Sequence, residues 1–174
     1  MEVTPSRPPF AQRMPRPKVR IRRAAPEDGP RIIELDRQLA RFEKLAPPDD
    51  REARALLHWI FETKELEALV AEQDGRITGM ALFYEGYGTF RARKFLYLED
   101  LLVEESARGA GVGQALMAAL AREAVSRGAL RLEWAVLDWN EGAIRLYERL
   151  GARRHEEWLR YSLEEEEMKK LARE

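Results

Sequence analysis

A stretch in the middle of the chain, residues 95–126, joins an apolar strand to a long helix through a glycine-rich link. Residues 95–103 are apolar enough to predict a buried strand, and helical spacing of apolar residues begins just after Gly111. The link between them is Arg108-Gly109-Ala110-Gly111-Val112-Gly113. Its glycines let the backbone turn sharply and approach a ligand closely, and the helix start adds free N–H groups with a partial positive charge. Such a junction is typical of a phosphate site, to which Arg108 adds a cation.

Two common phosphate motifs do not fit this link. A dinucleotide fingerprint needs a third glycine where this chain has Gln114, although Glu133 lies at about the right distance for a ribose-binding acid. A P-loop needs Gly-Lys-Ser/Thr at its end, which is absent. The pattern that remains is Arg-x-x-Gly-x-Gly after a strand, and a turn that merely joins strand to helix stays open as the alternative.

Composition narrows the class of protein. With 174 residues and 45% hydrophobic residues, the chain is most simply one domain with a sizeable core. Lysine plus arginine (30) nearly balance aspartate plus glutamate (31), which argues against a dedicated nucleic-acid binder. The chain has no cysteine, which excludes disulfides, thiolate nucleophiles and zinc–cysteine sites and fits a reducing cytoplasm. Its two histidines, His58 and His155, have no metal-ligand spacing, and no apolar run is long enough for a membrane span.

The ends of the chain differ from its middle. Residues 1–17 are rich in proline and arginine without periodicity, and we predict a flexible basic arm there. A contact arm for nucleic acid or a protein partner is the alternative, and Met14 is a second candidate for the start. A folded domain is expected over residues 18–163 and a charged helical tail over residues 164–174.

Hydrophobic periodicity predicts strands alternating with helices within that domain. We expect two helices between the first and second strands, a hairpin turn at Asp74-Gly75, and a polar loop over residues 85–93. The predicted strands are residues 19–22, 66–71, 77–84, 95–103, 130–136 and 158–163, and the later helices begin near Gly111 and Asn140. Hairpins mixed with crossovers predict an α/β (α+β) fold with a mixed central sheet flanked by helices.

Four sequence blocks, in this order, carry a resemblance to a known family. They are Tyr97-Leu98-Glu99-Asp100, Arg108-Gly109-Ala110-Gly111-Val112-Gly113, Ala135-Val136-Leu137-Asp138-Trp139-Asn140 and Leu146-Tyr147-Glu148-Arg149-Leu150-Gly151-Ala152. Together they resemble the GNAT N-acetyltransferases, and within them the branch of diamine (spermidine/spermine) and thialysine N-acetyltransferases. The resemblance covers about four-fifths of the chain and excludes the arm.

The resemblance implies acetyl-CoA as co-substrate and assigns its contacts. The glycine-rich link would hold the pyrophosphate, the end of the preceding strand would pair with the extended pantetheine arm, and the next helix start would add a second contact. The residues implied are Leu101, Leu102, Val103, Arg108, Gly109, Ala110, Gly111, Val112, Gly113, Gln114, Asn140, Gly142, Ala143 and Tyr147.

Two residues take catalytic roles by the same resemblance. An alkyl amine of pKa about 10.4 is almost wholly protonated at neutral pH, so a base helps its attack on a thioester. Glu99 lies at the family's base position, and Tyr147 at the position of the tyrosine that protonates the leaving thiolate. The alternatives are a core aromatic residue for Tyr147 and a solvated strand end for Glu99 and Asp100.

The acceptor is expected to be a small cationic amine, because carboxylates attract ammonium groups in a partly dry site. The family resemblance implies Glu43, which follows an aromatic residue as in the family's first helix, and Trp158 near the family's last strand. With the acids that could add to them, the substrate-binding candidates are Glu43, Glu99, Asp100, Glu133 and Trp158. The loop near Phe90 lacks the acid that polyamine enzymes carry and contains Arg91, Arg93 and Lys94. We therefore expect a lysine-like amino acid before a diamine or polyamine.

Other functions stay open at this point. A protein or peptide N-acetyltransferase would need an open groove, and a non-catalytic acyl-CoA-binding regulator would not need Tyr147. The family resemblance further implies a homodimer, and we expect no metal, no nucleic-acid partner and no membrane attachment.

Overall fold

The computed structural model of the chain describes residues 18–173, so the predicted arm at residues 1–17 lies outside the described residues. The chain divides into two compact units, Met1–Asn140 and Glu141–Glu174. The limits predicted for the arm, the domain and the tail remain predictions.

Among its described residues, the first unit contains a five-stranded sheet and three α-helices, two of which lie between β1 and β2 in the sequence and one between β4 and β5. Strand β1 spans Arg20–Arg23, and a 3₁₀ turn at Pro26–Asp28 leads into helix α1, Gly29–Phe42. Helix α2, Asp50–His58, continues into a π-helical turn at Trp59–Thr63. The remaining elements are β2 Glu67–Gln73, β3 Arg76–Gly88, β4 Arg93–Val103, α3 Val112–Ser126 and β5 Leu132–Trp134.

The sheet is mixed, as predicted. Its strand order is β1-β2-β3-β4-β5, with antiparallel pairing from β1 to β4 and a parallel pair between β4 and β5. The predicted hairpin turn is confirmed, because Asp74 and Gly75 join β2 to β3 with φ of 50° and 77°. Two positive φ angles are what a two-residue hairpin with the usual strand twist requires.

Apolar side chains fill both faces of the sheet. On one face α1 and the segment after α2 pack on β2, β3 and β4, and the cluster is Ile32, Leu35, Leu39, Ile60, Ala68, Val70, Ile77, Met80, Leu82 and Leu102. On the other face Gly79 of β3 lies under α3. A Cβ at Gly79 would stand 3.2 Å from Val112 Cγ1 and 2.8 Å from the Leu102 carbonyl. Only glycine lets the helix start approach the strand this closely.

The loop predicted over residues 85–93 was wrong for most of its length. Strand β3 continues to Gly88 and β4 begins at Arg93, so only a short turn of 3₁₀ helix, Thr89–Arg91, separates them. The polar, glycine-containing sequence hid this extension, but tertiary pairing supports it. The ring of Phe95 covers Gly86, where a Cβ would lie 2.4 Å from the ring, and Lys94 forms an ion pair of 2.5 Å with Glu85.

The last predicted strand, residues 158–163, was also wrong. The second unit contains helix α4, Glu141–Arg149, and helix α5, Glu165–Leu171, and no strand is present among its residues 141–173. Trp158 and Tyr161 are 78% and 85% exposed. The alternation of large side chains predicts a strand, but a strand needs a partner to receive its backbone hydrogen bonds. The predicted helical tail is confirmed as α5, and α4 ends before Gly151, whose φ is 85°.

Candidate active site

Strand β4 is interrupted by a β-bulge at Glu99. Leu82 of β3 pairs with Asp100 and Phe83 pairs with Leu98, which leaves Glu99 as the extra residue. The parallel pairing with β5 stops at the same place, since its last register pair is Leu98 with Trp134. Among the described residues, no strand therefore pairs with the β5-facing edge of β4 beyond Leu98. Bulges of this kind re-aim side chains next to active sites.

Asp100 is the most perturbed carboxyl group at the bulge. It is half-buried and forms no hydrogen bond or ion pair within residues 18–173. Burial raises its pKa from 3.8 to about 7, and the negative charges of Asp36, Glu99 and Glu43 add to this rise. The predicted residues Glu43 and Glu99 are thus close enough to Asp100 to act on it electrostatically, and we call these three residues, with Asp36, the acid cluster.

Sequence reasoning missed Asp36. It lies on α1 one turn after Ile32 and Ile33, which are buried in the core. Burial raises the pKa of Asp36, and the nearby charge of Arg37 opposes that rise. An acid within the apolar spacing of an amphipathic helix was the available signal.

The glycine-rich link forms an open loop of backbone. Gly109 and Gly111 have φ of 75° and 88°, and a Cβ at either would meet nothing within 4 Å. Within the described chain, the backbone N–H groups of Gly109 and Gly111 and of the first α3 residues, Val112, Gly113 and Gln114, donate to no acceptor. These N–H groups, together with the positive end of α3, fit a pyrophosphate.

The start of this loop is fixed by a buried ion pair. Glu104 directly follows β4, its residue is 7% exposed, and it pairs with Arg31 of α1 and, at 3.0 Å, with Arg76. Burial alone would raise the pKa of Glu104, but the hydrogen bond and charge of Arg31 and the charge of Arg76 hold it below its ordinary value. Arg108 Nε also donates to the Val103 carbonyl at 3.3 Å. These contacts tie the loop to the end of β4.

Other predicted residues have different surroundings. Glu133 of β5 stands opposite Tyr97 in the register and accepts a hydrogen bond of 2.5 Å from Arg131. Its carboxylate is therefore already paired with a cation. Leu101, Leu102 and Val103 form the end of β4, paired on one side with β3.

The remaining predicted residues lie at or beyond the start of α4. Asn140 directly precedes α4, and its N–H donates to the Leu137 carbonyl at 2.9 Å. Gly142, Ala143 and Tyr147 lie on α4 in the second unit, and Trp158 lies in the segment between α4 and α5. Tyr147 is 8% exposed, and burial raises its pKa to about 12. Its hydroxyl is therefore protonated at neutral pH.

Residues 18–173 contain neither a metal-binding group of side chains nor a candidate membrane-spanning helix. No group of three or more histidine, aspartate or glutamate side chains there is arranged to hold a metal ion. No helix in this part of the chain is long and apolar enough to cross a membrane.

The mixed sheet and the glycine-rich link are those of an acetyltransferase. The Acetyltransferase (GNAT) family matches residues 31–152, and the chain belongs to this family. It is thus an N-acetyltransferase, of a family that uses acetyl-CoA as co-substrate.

Several characterised proteins and solved structures are similar to this chain. A thialysine N-epsilon-acetyltransferase from Bos taurus is 37% identical over 166 residues, which cover 88% of this chain and 97% of the relative. An L-ornithine N5-acetyltransferase from Arabidopsis thaliana is 42% identical over 82 residues, covering 47% of this chain and 36% of that protein. Among solved structures, an integron cassette protein from V. cholerae superposes with a TM-score of 0.76 at 24% identity, covering 90% of this chain and 98% of that one.

Proposed function

We propose that this chain transfers the acetyl group of acetyl-CoA to a primary amine of a small cationic substrate by direct attack. A lysine-like amino acid is the first candidate and a diamine or polyamine the second. The observation that carries the proposal is the acid cluster around Asp100, a half-buried carboxyl group on which three neighbouring acids act, since such a cluster favours an ammonium group. The names of the relatives, which specify thialysine and L-ornithine, support the same class of substrate.

The acid cluster has two tasks in this proposal. Asp100, Asp36 and Glu43 attract the cationic substrate, and binding of a positive charge lowers the energy of an ionised Asp100. Glu99, the exposed bulge residue, is the base that removes a proton from the attacking amine, directly or through water.

The backbone after the bulge binds the cofactor. The unpaired edge from Leu101 to Val103 suits the extended pantetheine arm, and the N–H groups of Gly109 and of residues 111–114 suit the pyrophosphate of the cofactor. The thioester of acetyl-CoA supplies the activated acetyl group. Asn140, Gly142 and Ala143 are proposed as the second cofactor contact.

Tyr147 donates a proton to the leaving thiolate. Its raised pKa keeps the hydroxyl protonated, which is the state that a proton donor needs. Tyr147→Phe removes this proton and leaves the aromatic ring in place. We expect kcat to fall by about 100-fold or more, with the Kd for acetyl-CoA unchanged. A non-catalytic acyl-CoA-binding regulator would bind acetyl-CoA without any turnover in either protein.

The number of positive charges on the substrate is inferred from the arginines near the β3–β4 turn. Arg91 lies in the turn between β3 and β4 and Arg93 begins β4, and neither forms an ion pair with a carboxylate among residues 18–173. Additional cations disfavour a substrate with three or four positive charges. Glu133 and Trp158 remain candidates for contacts to the rest of the amine.

The experiment is an acetylation panel with lysine, thialysine, putrescine, spermidine and a lysine-containing peptide, each measured as kcat/KM at pH 8. We expect thialysine or lysine to give the highest value. A clear preference for spermidine contradicts the lysine-like assignment. A preference for the peptide favours the protein or peptide N-acetyltransferase, which is the competing function.

We retain two further proposals for this chain, a homodimer and a cytoplasmic location. The exposed side chains of Trp158, Leu159 and Tyr161 in the second unit support an interface between copies. Sedimentation velocity of the full chain, compared with a Trp158→Ser, Tyr161→Ser variant, tests the assembly. A monomer for the unmodified chain contradicts it. Fractionation of cells that express the chain tests the location.

A further inference from the structure

Three segments of the first unit meet around a pair of aromatic rings. Phe42 at the end of α1 and Trp139, which follows β5, have ring centroids 5.4 Å apart at an angle of 49°. Arg108 of the glycine-rich link lies over Phe42, with its guanidinium carbon 5.5 Å from the ring centroid. Lys44 lies over Trp139, with Nζ 5.0 Å from the ring centroid. We call these four residues the aromatic clasp.

The two cations of the clasp differ from the other cations that lie over aromatic rings. The four other cations of this kind in the described chain also form ion pairs with carboxylates. They are Arg23, Lys94, Arg127 and Arg131. Lys44 and Arg108 form no ion pair with any residue from 18 to 173. An aromatic face attracts a cation without neutralising its charge, so both charges remain available to an anion.

The backbone at Lys44 holds this side chain in a defined place. Lys44 has φ of 63°, and it follows the last turn of α1 where glycine is usual. The N–H groups of Lys44 and Leu45 close the helix on the carbonyls of Arg41 at 3.2 Å and Ala40 at 2.8 Å. The conformation is thus fixed by the helix end, and the side chain that projects from it reaches Trp139.

From this geometry we infer that Lys44 is a second phosphate-binding cation, which acts with Arg108 on the phosphate groups of acetyl-CoA. The inference rests on the proposed function. Arg108 belongs to the loop whose free N–H groups suit a pyrophosphate, and Lys44 shares the aromatic pair with Arg108. Two like charges on one aromatic pair repel each other, and a phosphate between or beside them relieves that repulsion.

The test is the affinity for CoA, measured by calorimetry on the full chain without turnover. Lys44→Asn removes the charge but keeps a residue that tolerates positive φ, and Lys44→Arg keeps the charge. Lys64→Asn is the matched control, because Lys64 is also an exposed lysine at positive φ, 57°, after a helical turn. We expect Kd to rise about tenfold in K44N, with K44R and K64N close to the unmodified chain. The difference should shrink as salt increases.

A second ligand identifies the phosphate involved. Dephospho-CoA lacks the 3′-phosphate, so a K44N effect that persists with it assigns Lys44 to the pyrophosphate, and one that vanishes assigns it to the 3′-phosphate. Equal Kd values for K44N and the unmodified chain, with Arg108→Gln still weakening CoA, overturn the role of Lys44 alone. Failure of the unmodified chain to bind CoA overturns the proposed function as well. Circular dichroism of K44N, compared with K44R, separates a lost contact from a lost fold.

Discussion

The acid cluster and the glycine-rich link flank the same end of β4, but they are built from different parts of the polypeptide. The acid cluster consists of side chains from α1, from Glu43 directly after it and from β4, and burial together with the neighbouring negative charges raises the pKa of Asp100. The link consists of backbone N–H groups at Gly109, Gly111 and the start of α3. A site made of side chains is sensitive to single substitutions and to pH. A site made of backbone depends instead on the φ angles that the chain can adopt.

Asp100→Asn should separate the two regions most strongly. Asparagine keeps the shape of the side chain but removes the charge that we propose attracts the ammonium group. We expect kcat/KM for the preferred amine at pH 8 to fall about 100-fold, with the Kd for CoA unchanged. Asp74→Asn is the control, since Asp74 is an exposed acid in the β2–β3 turn. A comparable loss of CoA affinity in D100N would show that the two regions are not independent.

Gly111→Ala should act on the opposite region. A left-handed φ of 88° costs a non-glycine residue about 1–2 kcal/mol, so the loop is expected to leave its open conformation. The Kd for CoA should rise about tenfold, while KM for the amine changes little. Gly75→Ala is the matched control, because its φ is 77° and its Cβ would also meet nothing within 4 Å. If Gly111→Ala and Gly75→Ala lower the free energy of unfolding equally and neither weakens CoA binding, the glycine-rich link is not the CoA site.

The dependence of kcat/KM on pH also tests the acid cluster, and the expected change is smaller than in D100N or Gly111→Ala. In the proposed mechanism the ionised form of Asp100 binds the ammonium group, so kcat/KM for the amine should rise as pH increases through about 7, the pKa of Asp100. Asp36→Asn removes a neighbouring negative charge, which lowers the pKa of Asp100 and moves this limb to lower pH. The limb should disappear in D100N. If the rise of kcat/KM occurs at the same pH in D36N as in the unmodified chain, the group that titrates lies outside the acid cluster.

The same pKa has a consequence for stability. The folded chain keeps a proton on Asp100 up to about pH 7, whereas the unfolded chain releases it near 3.8. The free energy of unfolding should therefore fall as pH rises between these values, because the folded state binds more protons. In D100N this contribution is absent, and urea unfolding at several pH values measures the difference.

The smallest predicted effect concerns the turn between β3 and β4. Arg91→Gln removes one exposed cation, and we expect kcat/KM for spermidine to rise only about twofold, with lysine unaffected. Arg54→Gln, on the exposed side of α2, is the control. An equal gain for lysine and spermidine would show that Arg91 does not discriminate between acceptors by charge.

Much of this molecule follows from local sequence. The strand–glycine–helix unit was predictable because its glycines, its apolar strand and its helix all lie within residues 95–126. The extension of β3 to Gly88 was not, since its support comes from cross-strand contacts such as Phe95 on Gly86. Residues 158–163 show the reverse case, a strand pattern for which residues 141–173 contain no strand partner.

Some residues of the candidate site were likewise predictable from local sequence and others were not. Glu99 and Asp100 were recognisable as adjacent acids between apolar neighbours, and the resemblance to a family supplied their roles. The effect of Asp36 on Asp100 depends on the packing of α1 against the sheet, and the role proposed for Lys44 depends on the meeting of three separate segments. Neither is visible from the spacing of residues along the chain.

The edge of β4 beyond Leu98 has a consequence for the life of the protein in a cell. Along residues 99–103 no strand of the described chain covers the side that faces β5, and exposed strand edges promote association between chains. An extended ligand that occupies this edge also stabilises the native state in proportion to the logarithm of its concentration. In the proposed function that ligand is acetyl-CoA, so we expect the protein to be less soluble and degraded faster when acetyl-CoA is scarce.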